Sequence, residues 1–246
     1  MRRRPGHRMG PVVLGLLLLS GCSSPRKPPD IGARDVNADG VVRIVCLGDS
    51  NTDPGVPTVD YLSWCEVLQR WCPQWDIVNK RPIAMGQATA LPPREGRWWH
   101  ARQQTQQALD LDPDVMVYAY GTNDILQGRS TEDVVAEYLR IRDHLSDSRL
   151  MYVASVPHVN DPNLTAENRR IDELNLALRR AFPVVIDFTT GVTPDLYADR
   201  LHFRSEGCTL RAERALAVLD PGRQCTQRVL GSEAGPSDAH PSYSHR

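Results

Sequence analysis

From residue 41 onward, short apolar runs alternate with longer segments in which apolar residues recur every three or four positions. Val41 to Leu47 is almost continuously apolar, as a strand covered on both faces requires. In Pro57 to Trp71, the spacing of Trp64, Leu68 and Trp71 sets three large side chains on one helical face. Asp76 to Asn79 reads as a short second strand, and Gly96 to Leu111 as a polar helix that Pro113 stops. Val115 to Tyr120 is a third strand. Ser130 with Asp133 signals a helix start ahead of Val134, Tyr138, Ile141 and Leu145. Leu150 to Val156 predicts a fourth strand and Val184 to Asp187 a fifth, with Ile171, Leu174, Leu178 and Phe182 marking an amphipathic helix between them. A last helix is expected from about Ser205 to Leu219. Alternation of this kind predicts an α/β domain: a five-stranded parallel sheet with helices on both faces. The length of 246 residues suits one such domain better than two.

The flanks follow a different pattern. Arg2, Arg3, Arg4 and Arg8 precede a short apolar stretch, Pro11 to Leu19, which is the layout of an export signal. That stretch cannot cross a bilayer core of about 30 Å as a helix. Leu19-Ser20-Gly21-Cys22 closes it and resembles the lipobox of bacterial lipoproteins, whose cysteine thiol is acylated after export. The expectation is a signal peptide over 1–21, lipidation at Cys22, and attachment to a membrane of the bacterial cell envelope. Residues 22–40, rich in proline and polar side chains, are expected as a tether, 41–225 as the domain, and 226–246 as a disordered tail.

Asp35-Val36-Asn37-Ala38-Asp39-Gly40 matches the first half of a calcium loop, but its twelfth position is Cys46 where a bidentate glutamate belongs. A polar turn feeding the first strand is the expectation. The net charge of −1 gives no reason to expect nucleic acid as a partner. Beyond Cys22 there are five cysteines, and export permits disulfides. Cys65 and Cys72 would lie about 10 Å apart in an unbroken helix, too far to bridge, but Pro73 biases Cys72 out of the helix and leaves that pairing open. Cys208 and Cys225 flank the last helix with a return loop between them, and are the expected pair. No spacing of Cys and His suggests zinc.

In a parallel α/β sheet, the loops at the carboxyl ends of the strands meet in one crevice. Gly48-Asp49-Ser50-Asn51 follows the first strand and Tyr120-Gly121-Thr122-Asn123-Asp124 the third, while Asp199-Arg200-Leu201-His202 follows the fifth. A serine hydroxyl needs a base, and an imidazole near neutral pH is suited to be one. Asp199, three residues before His202, can fix the ring's tautomer. Asn123 offers an amide to an oxyanion, a contribution worth about 3 kcal/mol in comparable sites. His158 is a second candidate base that lacks a nearby acid in sequence, and Asp49 and Asp124 suit backbone bonding in tight turns. Trp98, Trp99 and His100 suit either a substrate pocket or helix packing.

These blocks resemble the SGNH (GDSL-type) hydrolase superfamily over about Val41 to Leu219. The resemblance implies a three-layer α/β/α sandwich of flavodoxin-like type, no metal or other cofactor, and ester or thioester hydrolysis through an acyl-serine. It implies Ser50, Asp199 and His202 as the catalytic residues, and an oxyanion hole of the Ser50 backbone N–H, a glycine N–H and the Asn123 amide. The glycine maps to Gly86 in Asn79-Lys80-Arg81-Pro82-Ile83-Ala84-Met85-Gly86, although the usual Gly-x-Ser before it is missing and the spacing is longer. The expected substrate is a small acyl ester, of acetyl-saccharide or lysophospholipid type, turned over by a monomer. The alternatives are an acyltransferase on the same fold and a non-catalytic envelope binding lipoprotein.

Overall fold

The apolar run that opens the domain forms strand β1, Arg43–Gly48. Ile44 and Cys46 join one apolar cluster while Val45 and Leu47 join another, the two-residue alternation of a strand covered on both faces. The computed structural model describes residues 31–55, 62–94, 99–145, 149–223 and 225. The expected signal peptide, Cys22, the first part of the tether, Trp98 and the tail all lie outside the described residues.

Four more strands complete the sheet: β2 (Asp76–Val78), β3 (Val115–Ala119), β4 (Leu150–Ala154) and β5 (Val185–Ile186). They are all parallel, in the order β2-β1-β3-β4-β5. Helices α1 (Trp64–Trp71) and α6 (Ser205–Leu219) cover one face, through Trp64, Leu68, Ala212 and Leu216. Helices α2 (Ala101–Leu109), α4 (Thr131–His144) and α5 (Thr165–Ala181) cover the other, through Ala108, Tyr138, Ile171 and Leu174. The expected three-layer sandwich and its five-stranded parallel sheet are therefore present. Strand order reverses direction between β1 and β3, and there the loops on the two strands diverge and leave a crevice.

Helix starts follow the chain's capping chemistry. Ser63 and Glu66 form a reciprocal capping box at α1, and the Ser130 side chain accepts the Asp133 N–H at α4, each such cap contributing about 1 kcal/mol. A short helix, α3 (Thr122–Leu126), follows β3. It has too few residues to show a period, so the apolar pattern gave no sign of it.

Residues 31–40, expected as the end of the tether, are bound to the domain. Gly32 N–H donates to the Tyr152 hydroxyl at 3.0 Å, Ala33 N–H to the Leu219 carbonyl at 2.6 Å, and Val36 N–H to Asp114 Oδ1 at 2.8 Å. Asp114 immediately precedes β3 and Leu219 ends α6, so this segment lies at the amino edge of the sheet. The polar turn is also present: the Asp35 carboxylate accepts the N–H groups of Ala38 and Gly40.

The disulfide expectation requires correction. Cys225 is bridged to Cys72, with Cα atoms 5.0 Å apart, and Cys208 is a free, buried thiol. Cys208 lies in the first turn of α6, by the carboxyl edge of the sheet, and faces Tyr197 and Phe203. Cys72 caps the far end of α1, at the amino edge where α6 also ends, so the return loop meets α1 instead. Cys46 and Cys65 are free and buried as well.

Candidate active site

Ser50 is the second residue beyond β1, and a tight turn presents it. The Asp49 carbonyl accepts the N–H groups of Thr52 and Asp53, and the Asp49 carboxylate accepts that of Asn51 at 3.0 Å. Gly48 is required just before it, because a Cβ there would sit 2.2 Å from Thr52 Oγ1. Burial pushes the Asp49 carboxyl pKa upward, against the Asn51 N–H and the charge of Arg211, which pull it down.

The loop before helix α6 brings the candidate base, His202. His202 Nε2 lies 3.0 Å from Ser50 Oγ, and His202 Nδ1 lies 2.7 Å from Asp199 Oδ2. The other carboxylate oxygen of Asp199 accepts the backbone N–H groups of Leu201 and His202, each at 2.7 Å. Burial alone would raise the Asp199 pKa, but these bonds outweigh it and hold the carboxyl below its ordinary value. An ionised carboxylate can only accept, so Nδ1 carries the ring proton, and Nε2 is left to accept the Ser50 hydroxyl.

The serine and histidine loops are joined directly. Asn51 Nδ2 donates to the Leu201 carbonyl at 3.2 Å, and the Asn51 carbonyl accepts Arg211 Nη1 at 3.2 Å. Arg211, from α6, is buried with its guanidinium 4.4 Å from the Phe188 ring centre and 5.2 Å from that of Phe203. Sequence reading missed Arg211. An arginine in the middle of an apolar helical face was the available signal.

Asn123 sits in the first turn of α3, where Gly121 adopts φ +131°; a Cβ there would lie 2.7 Å from Val156 Cγ2. One N–H of the Asn123 amide donates to the Ala88 carbonyl at 2.9 Å, which leaves the other unused by that bond. Asp124 accepts the N–H groups of Ala90 and Leu91 at 2.7 and 3.0 Å. Burial nonetheless raises its pKa to about 6. Asp49 and Asp124 thus bond loop backbone, as expected.

Gly86 departs from expectation. Its N–H donates to Asp53 Oδ2 at 2.9 Å, so it is not presented as an open donor toward Ser50. Asp53 has a fully buried side chain and is held by Arg81, whose Nε lies 2.9 Å from Oδ1. The cause is local: a carboxylate three residues after Ser50 collects the nearest amide and guanidinium. His158 likewise has its own acid, Asp172 of α5, at 2.7 Å, and both side chains are exposed; the Ser50 hydroxyl is bonded to His202 instead. Trp99 packs on the core of the α2 face.

Residues 46–210 match the GDSL-like Lipase/Acylhydrolase family, and the chain belongs to it. It is accordingly an ester hydrolase. Its structure is similar to that of a member of the lipolytic G-D-S-L family from Veillonella parvula (20% identity, TM-score 0.56, 72% of this chain and 97% of that one). It is also similar to Est24, a carbohydrate acetylesterase from Sinorhizobium meliloti (15%, TM-score 0.57, 71% and 96%). An aryl esterase of M. smegmatis is a third such structure (16%, TM-score 0.55, 72% and 99%). No match was found among curated proteins. The fourth letter of the family's G-D-S-L motif is leucine, and this chain has Asn51 there.

Proposed function

We propose that this chain is a serine esterase of the bacterial cell envelope, anchored through lipid on Cys22, that hydrolyses small acyl esters by way of an acyl-Ser50 intermediate. The observation that carries the reading is the pair of bonds, 2.7 and 3.0 Å, that runs from Asp199 through His202 to the Ser50 hydroxyl. Ser50 Oγ attacks the ester carbonyl carbon while its proton passes to His202 Nε2, and the carbonyl oxygen becomes an oxyanion. The unused N–H of Asn123 and the Ser50 backbone N–H receive that charge. Gly86 can add a third donor only if Asp53 gives up its N–H. Collapse expels the alcohol, which takes the proton from His202. Water, deprotonated by His202 in turn, then releases the acid and restores Ser50.

Carbohydrate esterases are among the similar structures, which makes an O-acetylated saccharide the first substrate to assay. A fluorophosphonate probe should label Ser50 alone, and Ser50→Ala should lose both label and turnover while staying folded. Substantial turnover by folded Ser50→Ala would end the acyl-serine reading. Anchoring rests on Leu19-Ser20-Gly21-Cys22: Cys22→Ser should move the protein from the membrane to the soluble fraction, and its retention after a carbonate wash would refute acylation.

A further inference from the structure

Helix α5 carries two different stripes. Ile171, Leu174 and Leu178 face the core. Asp172, Asn175, Leu176 and Arg179 recur at the spacing of one helical face and border an open cleft of about 200 Å³. Thr189 and Val192, from the loop after β5, form a second wall, and His158, from the loop after β4, completes the lining. Internal hydrogen bonds hold both walls. The Asn175 amide donates to the Val156 carbonyl at 2.8 Å and accepts the Val156 N–H at 2.7 Å. The Asp187 carboxylate accepts the N–H groups of Thr189 and Thr190 at 2.9 and 3.2 Å. His158 connects this cleft to the candidate active site. It also lines a second hollow with Asn51, Thr122 and Leu201, the sequence neighbours of Ser50, Asn123 and His202. Its loop is tied to the one that carries His202: Asn160 N–H donates to the Arg200 carbonyl at 2.9 Å, and the Tyr197 hydroxyl donates to the His158 carbonyl.

The chemistry of the lining selects its occupant. Asp172 meets His158 Nε2 through Oδ1 at 2.7 Å and keeps Oδ2 as an acceptor. Arg179 Nη2 lies 3.6 Å from Asp187 Oδ1, beyond hydrogen-bond length, so the guanidinium keeps its donors. Between them Leu176 is 50% exposed and offers an apolar surface. A fatty acyl chain would strip water from Asp172, Arg179 and Thr189 without replacing their hydrogen bonds. An anion gains little, because Asp172 shares the cleft with Arg179 and Asp187 stands beside the guanidinium. A neutral pyranose satisfies all three features, since its hydroxyls both donate and accept and its C–H face is apolar. We propose that this cleft is a subsite for a neutral sugar ring in the alcohol half of an O-acylated saccharide. Asp172 accepts from the ring hydroxyls, Arg179 donates to them, and Leu176 covers the C–H face. This deepens the proposed function and rests on ester hydrolysis at Ser50.

The test measures binding apart from turnover, by titrating the protein calorimetrically with an unacetylated xylo-oligosaccharide, which has no ester to hydrolyse. Oligogalacturonate and lysophosphatidylcholine serve as the anionic and lipid comparisons. Asp172→Ala and Arg179→Ala remove exposed side chains, and circular dichroism checks that both proteins stay folded. Each substitution should raise the Kd for the xylo-oligosaccharide about tenfold or more, the scale of one hydrogen bond to a charged group. On an O-acetylated xylo-oligosaccharide, each should also lower kcat/KM relative to that on nitrophenyl acetate, mainly through KM. No binding of the neutral oligosaccharide, or a Kd that neither substitution changes, would overturn the proposal. So would tighter binding of oligogalacturonate or lysophosphatidylcholine that the same substitutions weaken. Sugar binding as expected in a protein that cleaves no ester would instead refute the proposed function and leave the cleft as a sugar site.

Discussion

The residue after Ser50 is hydrogen-bonded to the residue before His202: Asn51 Nδ2 donates to the Leu201 carbonyl at 3.2 Å. This contact fixes the separation of the two loops across which Ser50 and His202 meet. Leucine, the residue named in the family motif, cannot make it. Asn51→Leu should lower kcat by about 10- to 100-fold, the scale of a slight misplacement of reacting groups, with KM nearly unchanged. Steady-state kinetics on a nitrophenyl acetate check this, and an unchanged kcat would mean that other contacts set the spacing.

The pH profile should carry no proton from Asp199 above the ordinary carboxylate range. The Asp199 pKa is lowered, so its carboxylate is charged throughout the range above the ordinary value of 3.8. Its contribution to stability is present there and is lost only as pH falls through the lower folded value. Asp199 therefore adds no proton to the kcat/KM profile above that ordinary value. Asp199→Asn should leave a measurable enzyme weakened by about 100-fold or more, because the base remains while its tautomer is unsupported. A step in wild-type kcat/KM above pH 3.8 that Asp199→Asn removes, or an Asp199→Asn protein as fast as wild type, would remove Asp199 from this role.

Much of this arrangement was legible in the chain. The strands are nearly continuous apolar runs because both faces are covered, and the last helix begins and ends where its period predicts. Ser50 and His202 could be placed together because a parallel sheet gathers the loops that follow its strands. Contacts decided by side-chain reach were not legible. No spacing rule shows that Asp53 would take the Gly86 N–H, that Asp172 would pair with His158, or that Cys225 would fold back to α1. Each depends on how far a loop turns, and periodicity carries no record of that.

Asp124 should give the protein a distinctive stability profile. Burial raises its pKa to about 6, so in the folded state it holds its proton at pH values where the unfolded chain has lost it. Stability is then greatest below pH 3.8 as far as this group is concerned, and falls as pH rises toward 6. The loss amounts to about 3 kcal/mol. In Asp124→Asn the two backbone donors meet an amide, and overall stability drops, but this slope should vanish. Urea unfolding of both proteins between about pH 4 and pH 7 measures the difference; parallel curves would show that Asp124 is ionised throughout.

Loss of the Cys72–Cys225 bridge should be costly, because it closes a loop with a sequence separation of 153. The chain-entropy relation gives about 5 kcal/mol for a loop of this size. Cys72→Ser and Cys225→Ser should each lower the urea midpoint strongly, whereas Cys208→Ser should leave the bridge intact. Non-reducing peptide mapping identifies the pair, and recovery of a Cys208–Cys225 peptide would contradict the fold described here.

That bridge also carries information about time. Cys72 is made early and its partner nearly last, with Cys208 made between them and Cys46 and Cys65 before it. As the chain folds, the thiols nearest Cys72 in sequence are the wrong ones, and they are withdrawn only as the sheet and its helices close over them. Correct pairing is thus a record that the whole domain has been delivered and folded. A copy cut short before Cys225 would keep an unpaired thiol at Cys72, a chemical mark by which incomplete chains can be told from finished ones.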